Sequence, residues 1–338
     1  GGEMPSLRLR HNSATTTYAG LTVTVAGNVP YAQIQAERFS GTSTTSEVQF
    51  GALNVVGTSG PAGTMLLLSN SNSNAQVLGT TTFGGTSPIG VNVNGSTWRL
   101  NGAITGSAPI YKTGDGVLRF DGANDATFSS PVFLNRGEIR LTGIASGGVA
   151  TSDGTGPYTL NFGTLRLASA NTGANTTSTF FNSPNQNLTI AGAVTIGYDR
   201  NGGTPGSNSN NVTIGAAGLE FRTVNSPYII FDAFSSFGDG LRIASEVVVR
   251  DQPFFRITDH NLFINNIIRG NGTITRSEAY LITFNNNAAN PDWSGGFTAL
   301  QGYNRVTQAN TNFTFGTGPV NIGPTAVLSL NSLNNIAG

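Results

Sequence analysis

The sequence predicts an all-β protein that folds as a right-handed, single-stranded parallel β-helix, or β-solenoid. Three observations support this prediction: strand-like runs bounded by turn-forming residues, single arginines that recur about once per coil, and a longer internal repeat. A coil means one full turn of the solenoid, built from two or three short strands joined by turns.

The composition and the local pattern both favour strands. The 338 residues include 45 glycines, 38% hydrophobic residues and only 10% charged residues. This is too apolar for a disordered chain and too rich in turn formers for a helical one. Residues 21–25, 188–190 and 212–214 alternate aliphatic side chains with Thr, as half-buried strands do.

Single arginines within such runs indicate the length of one coil. Arg99, Arg119, Arg140 and Arg166 each lie between two apolar residues, at steps of 20, 21 and 26 residues. Because side chains alternate along a strand, each arginine is expected to point outward while its neighbours point inward.

On stacked coils, these four arginines would form a column with a spacing of about 4.8 Å. Such a column is a candidate contact surface for an anionic polysaccharide or a neighbouring solenoid. The simpler interpretation, which we favour, is that the arginines are solvated and cover apolar surface with their aliphatic stems.

A longer repeat supports a regular architecture. Residues 104–141 realign with residues 268–306, about 164 positions later. The matches fall on apolar strand positions and turn glycines, so they indicate architecture rather than chemistry. The aligned pairs are Ile104 with Ile268, Gly106 with Gly270, Lys112 with Arg276, Leu118 with Ile282, Phe120 with Phe284 and, after a one-residue slip, Phe128 with Trp293 and Val132 with Phe297.

The motifs at residues 112–118 (KTGDGVL), 290–297 (NPDWSGGF) and 315–320 (FGTGPV) resemble the autotransporter-associated β-strand repeat of bacterial passenger proteins. The clearest copies cover residues 98–141 and 262–330, whereas residues 1–95 are less regular. The first copy has FSSP at 128–131 in place of the double glycine, and the second has RSEA at 276–279 in place of Lys-x-Gly-x-Gly.

This resemblance implies a non-enzymatic β-helical stalk at the bacterial cell surface, with no catalytic residues to carry over. Residues 1–338 are expected to form one continuous solenoid that is a segment of a longer extracellular chain. The expected partners are further copies joined end to end, other surface proteins, or a polysaccharide.

Charge and cysteine content exclude several other roles. The formal net charge is zero, so no overall field would draw the chain to nucleic acid. The absence of cysteine excludes disulfides, thiol catalysis and cysteine-ligated metals. No run of about eighteen apolar residues is present, so no transmembrane helix is expected.

The main alternative is a β-helical polysaccharide lyase or glycoside hydrolase, which would need clustered carboxylates. One region of the chain is dense in such groups, although solvated loops explain it better. Its members are Asp232, Asp239, Asp251, Asp259 and His260.

Metal and phosphate sites are less well supported. Asp115, Asp121 and Asp125 do not have the spacing of a calcium loop, and they fit turn chemistry instead. His11 and His260 lack partners at ligand spacing, so zinc is not expected. The Gly-x-Gly runs at 114–116 and 270–272 precede no helix that could bind phosphate. The sequence therefore predicts no catalytic, cofactor-binding or metal-binding residue.

Overall fold

The structure of the protein is a computed structural model. It describes most of the chain, and every structural statement below concerns these residues. They are 4–38, 46–57, 63–71, 73–95, 97–122, 127–143, 148–149, 152–169, 177–184, 186–200, 211–215, 218–222, 228–233, 240–259, 261–285, 290–308 and 315–332.

Every regular element in these ranges is a β-strand, and none of the described residues forms a helix that could cross a membrane. In chain order, the first fourteen strands are β1 (Ser6–His11), β2 (Thr15–Val25), β3 (Tyr31–Arg38), β4 (Glu47–Val56), β5 (Thr64–Ser71), β6 (Asn74–Val77), β7 (Thr81–Gly84), β8 (Ile89–Asn94), β9 (Thr97–Leu100), β10 (Ile104–Gly106), β11 (Ile110–Thr113), β12 (Val117–Phe120), β13 (Val132–Leu134) and β14 (Glu138–Thr142).

The second part of the chain has the same character. Its strands are β15 (Gly148–Val149), β16 (Tyr158–Leu160), β17 (Gly163–Ser169), β18 (Thr177–Phe180), β19 (Leu188–Ile190), β20 (Val194–Arg200), β21 (Asn211–Ile214), β22 (Leu219–Phe221), β23 (Tyr228–Ala233), β24 (Gly240–Ile243), β25 (Val247–Val249), β26 (Phe254–Ile257), β27 (Leu262–Ile264), β28 (Ile268–Arg269), β29 (Ile274–Ser277), β30 (Ile282–Phe284), β31 (Phe297–Gln308) and β32 (Val320–Ser332).

The chain divides into two compact units. Unit 1 comprises Gly1–Thr142 and Thr151–Thr159, and unit 2 comprises Gly143–Ala150 and Leu160–Gly338. The expected continuous solenoid over residues 1–338 stays a prediction.

Unit 1 is built from three series of parallel strands. The first series runs β1-β3-β5-β8-β11-β13, and the second runs β2-β4-β6-β9-β12-β14. The third series begins with the last residues of β2, which pair with those of β4, and it continues through β7 and β10. Ile89, Ile110 and Val132 are register neighbours at steps of 21 and 22 residues, so one coil has the predicted length.

Unit 2 repeats this plan. One series runs β19-β22-β25-β28, a second runs β17-β20-β23-β26-β29, and a third runs β15-β18-β21-β24-β27-β30. The long strand β31 pairs with both β29 and β30, and β32 pairs with β31. All these pairings are parallel.

Inward side chains of successive coils stack into an apolar core. Phe120 lies in register with Leu100 on one side and with Leu141 on the other, and all three are buried. Leu167 is buried within unit 2. Parallel strands in long stacked sheets without helices confirm the predicted fold class, an all-β right-handed parallel β-helix.

A row of glycines brings the coils of unit 1 close together at one corner, where the second series turns into the third. A Cβ atom on Gly102 would lie 2.1 Å from the carbonyl oxygen of Gly79, and one on Gly122 would lie 1.9 Å from that of Gly102. No side chain fits at these positions, because real Cβ contacts do not fall below 3.0 Å. Glycine therefore permits the spacing of the coils here.

The two stretches of the predicted internal repeat form equivalent strands. β11 and β12 of the first stretch correspond to β29 and β30 of the second. Each stretch also has one isolated parallel bridge, Gly106 with Phe128 and Gly270 with Trp293. The repeat is therefore structural, as its apolar and glycine matches predicted.

Candidate functional site

Three of the four predicted arginines form a column on the outer surface of unit 1. Arg119 in β12 is the register partner of Arg99 in β9 and of Arg140 in β14. Each arginine lies between two buried residues of its own strand, so its side chain points away from the core. Like charges on neighbouring strands repel, and the column therefore requires compensation.

Asp121 supplies much of that compensation. It follows β12 directly, and its carboxylate is 2.6 Å from Nε of Arg119 and 3.0 Å from Nη2 of Arg99. The Thr142 hydroxyl donates a further hydrogen bond to it. Glu47 approaches Nη1 of Arg99 at 3.7 Å from the other side. The column is thus an ion-pair network rather than a row of free cations.

The environment of Asp121 favours its charged form. Burial alone would raise the pKa of this carboxyl group. The hydrogen bonds from Thr142 and Arg119 and the charges of Arg119 and Arg99 outweigh burial, so the pKa is lowered from its ordinary value. Asp121 therefore stays ionised where the column needs a negative charge.

The fourth predicted arginine, Arg166, belongs to unit 2. Its register partner on the neighbouring strand β20 is Gly197, so within unit 2 it does not stack on an arginine there. Its guanidinium pairs with the carboxylate of Asp199, two residues farther along β20, at 2.5 Å. Arg166 therefore also joins two adjacent coils.

Ion pairs between coils recur elsewhere in unit 2. Glu220 accepts from both Arg222 and Arg250, and Arg269 contacts both Glu246 and Asp292. Several of these partners are more than twenty residues apart, which is the length of a coil. Outward arginine is thus a general means of joining successive coils in this chain.

Two buried cations, Lys112 and Arg276, were not predicted from the sequence. Lys112 points into the core of unit 1, and its Nζ donates to the carbonyl oxygens of Thr113, Gly114 and Arg136 at 2.9, 2.8 and 3.0 Å. Arg276 is equally buried in unit 2, and it donates to the carbonyl oxygens of Gln301 and Tyr280. In both cases the acceptors lie on the cation's own coil and on the next one.

The turns around the two cations are equivalent as well. Gly114 and Glu278, each two residues after its cation, have positive φ angles of 75° and 81°. Gly137 and Gly302 lie against the cations, and a Cβ on them would be 2.7 Å from Lys112 Nζ and 2.2 Å from Arg276 Nη1. The alignment that paired Lys112 with Arg276 was therefore a usable signal for this feature.

Burial lowers the pKa of both cations. It lowers the pKa of Lys112 to about 8, against the opposing charges of Asp115 and Glu138. It lowers the pKa of Arg276 to about 10, against the opposing charge of Glu278. These groups lie inside the coils and face main-chain oxygens, so they stabilise turns rather than face solvent.

The described carboxylates weighed for an enzyme lie in two strand series of unit 2. Asp232 is in β23 of the second series and accepts a hydrogen bond from the Thr258 hydroxyl at 2.9 Å. Asp251 follows β25 of the first series and is exposed, while Asp259 follows β26. Asp239 and His260 lie outside the described residues.

Asp115 and His11, two of the residues considered for metal sites, make contacts within the protein. Asp115 pairs with Arg136 on the surface, and Asp125 lies outside the described residues. His11 bonds through Nδ1 to the Ser13 carbonyl oxygen and through Nε2 to the Ser73 hydroxyl, both at 2.9 Å. In the part of the chain that the structure describes, no group of three or more His, Asp or Glu side chains is arranged to hold a metal ion.

Comparisons with known proteins found no match for this chain. No protein-family model matches the chain, and no curated protein or solved structure is similar to it. The resemblance to the autotransporter-associated repeat therefore stays a prediction from the motifs, and the fold is established by the strand pairings alone.

Proposed function

We propose that this chain is a non-enzymatic, structural β-solenoid of an extracellular bacterial surface protein, which holds its outer faces available for contact with other molecules. The observation that best supports this proposal is that Arg99 and Arg119 of the outward column form ion pairs with Asp121 and Glu47. Charged side chains that could otherwise serve a ligand are used to join one coil to the next.

The surface location rests on the sequence. The absence of cysteine is compatible with export, and the motifs at 112–118 and 290–297 resemble those of passenger proteins. Stacked coils also suit a stalk, because each coil needs only its neighbours for stability.

The competing function is a polysaccharide lyase or hydrolase. Glycosidases place two carboxylates about 5 to 10 Å apart across the scissile bond. Asp251 belongs to a different strand series from Asp232 and Asp259, and Asp232 is engaged by Thr258, which favours the structural role. Asp251 is the carboxylate best placed for a direct test, because it is exposed.

The proposal is tested by incubating the full chain with a panel of neutral and uronate-containing polysaccharides. New reducing ends and unsaturated products are then measured, with Asp251→Ala as the matched variant. We expect no turnover with either protein. Turnover by the wild type that Asp251→Ala abolishes would refute the structural role and establish the enzyme.

Electron microscopy of the same preparation examines assembly. End-to-end fibres would support a filament-forming subunit, and single rods would support a stalk. Both outcomes agree with a structural role, whereas a polysaccharide-cleaving activity does not.

A further inference from the structure

The first strand series of unit 1 carries apolar side chains on its outer surface. Tyr31, Met65, Gly90, Tyr111 and Phe133 are consecutive register partners on β3, β5, β8, β11 and β13. We call these five residues the apolar stripe. Each is followed by a buried residue of its strand, so the stripe lies outside the core.

The stripe is continuous and level. The rings of Tyr111 and Phe133 are stacked, with centroids 4.5 Å apart and an interplanar angle of 7°. The Met65 side chain lies over Gly90, because a Cβ there would be 2.6 Å from Met65 Cε. Tyr31 is 59% exposed at one end. A glycine in the middle thus allows a methionine to complete a flat apolar surface.

The outward neighbours on one side of the stripe are uncharged, and most of them are polar. The outward neighbours two residues along β3, β5, β8 and β11 are Gln33, Leu67, Asn92 and Thr113. The outward positions of β5, β8, β11 and β13 carry no charge, in contrast to Arg99, Arg119 and Arg140 of the second series. Aromatic and methionine residues with few charges are typical of the centre of a protein interface.

The size of this face agrees with a pairing of modest strength. Six strands of three to eight residues, from β1 to β13, cover about 29 Å by about 19 Å, or about 550 Å² per copy. Two such faces in contact cover about 1,100 Å², near the lower limit of specific interfaces. Two solenoid faces also share one strand spacing, so side chains of one can pack between those of the other.

Charge at the two ends of the face selects the orientation. The β1 end carries the exposed Arg8 and the Arg10–Glu37 pair, which leaves a net positive charge. The other end carries the Arg136–Asp115 pair, whose side chains are 62% and 73% exposed. Antiparallel copies would bring Arg8 near the exposed Asp115 of the other copy, whereas parallel copies would keep these two ends apart.

We propose that the apolar stripe is the centre of a lateral interface, at which two copies of this chain pack face to face in antiparallel orientation. The pairing rests on the proposed structural role, because it gives that role a partner. A two-fold interface of this kind closes on itself and forms a dimer rather than a fibre.

Sedimentation equilibrium of the full chain between about 1 µM and about 1 mM tests the pairing, because weak interfaces dissociate in this range. We expect a reversible dimer whose association constant falls at least about tenfold in Tyr111→Lys and in Met65→Lys. Tyr228→Lys is the matched control, because Tyr228 is an exposed outward aromatic residue of unit 2. Circular dichroism melts establish that each variant is folded.

The natural absence of cysteine makes the orientation measurable. A mixture of Tyr31→Cys and Tyr111→Cys chains, treated with a short bis-maleimide, should cross-link as the mixed pair. Each variant alone should stay uncrosslinked. Self-cross-linking of Tyr31→Cys would overturn the antiparallel pairing.

Two further results would overturn the proposal. One is a wild-type chain that stays monomeric throughout the concentration range, including a monomer whose stripe binds a neutral polysaccharide. The other is an equal loss of association in Tyr228→Lys. None of these results changes the outcome of the polysaccharide-turnover screen, so the failure of the pairing and the failure of the structural role can be told apart.

Discussion

Replacement of Asp121 with Asn is expected to destabilise unit 1 by about 2 to 4 kcal/mol. The change keeps the shape of the side chain and removes the negative charge that the arginine column requires. Asp121 is 6% exposed, and its partners Arg119 and Arg99 are 14% and 31% exposed. Loss of one partner costs about 3 to 5 kcal/mol for a buried pair and at most about 1 kcal/mol for an exposed pair. The observed burial places this site between the two, nearer the buried case.

Asp115→Asn is the matched control for this experiment. Its ion pair with Arg136 also joins adjacent coils, but the two side chains are 73% and 62% exposed. The control should therefore lose at most about 1 kcal/mol. Urea unfolding followed by circular dichroism measures both variants at neutral pH. An equal cost for the two substitutions would refute the role assigned to Asp121.

A comparison of the wild type with Asp121→Asn also predicts how the stability difference depends on pH. The pKa of Asp121 is lower in the folded state, so its contribution to the free energy of unfolding is full above the unfolded value of about 3.9. That contribution is lost as the pH falls through the lower folded pKa. The stability difference between wild type and Asp121→Asn should consequently narrow in acid, and a constant difference would contradict this account.

Three further predictions concern the interior of the coils. Gly102→Ala should lower the free energy of unfolding in urea by about 3 to 5 kcal/mol, because the new Cβ would lie 2.1 Å from a carbonyl oxygen. Gly84→Ala is the control and should be nearly neutral, because no atom lies closer than 3.9 Å to its Cβ. For Lys112, whose pKa is about 8 when folded and 10.5 ordinarily, stability should rise as the pH is raised from about 8 toward 10, and Lys112→Met should lose this rise. Trp293→Phe should cost about 1 kcal/mol through its lost hydrogen bond to Gly272, and Trp293→Ala about 3 to 5 kcal/mol; equal costs would contradict the packing at this site.

The fold was predictable because the side chains show two periods, the alternation along a strand and the length of a coil. Alternation along a strand determines which residues face inward, and the recurrence of Arg99, Arg119 and Arg140 gives the length of a coil. Both follow from backbone geometry that hardly depends on context. The same regularity made the register of Leu100, Phe120 and Leu141 predictable.

The partners of the arginines were not predictable in the same way. Asp121 acts on Arg99 from the adjacent coil because of where the chain leaves β12, and turn geometry is not encoded by a period. In the sequence analysis Asp121 was weighed as a calcium ligand, and turn chemistry was preferred. The structure assigns it to the ion-pair network instead.

Two other features were missed because they oppose the usual sorting of side chains. Lys112 and Arg276 occupy inward positions, where charge is normally excluded unless paired or hydrogen-bonded. Tyr111 and Phe133 occupy outward positions, where polar residues were expected. In each case the residue is an exception to the chemistry usual for its side of the strand.

The aligned cations Lys112 and Arg276 also bear on how this feature could be recognised in other solenoids. One copy of the repeat uses lysine and the other arginine for the same task, and the tight turn accepts Gly114 in one and Glu278 in the other. The two positions thus share the donation of N–H groups to main-chain oxygens, although the residue that donates differs. A search for this feature in other solenoids should therefore accept lysine or arginine at this position, followed two residues later by a residue with positive φ.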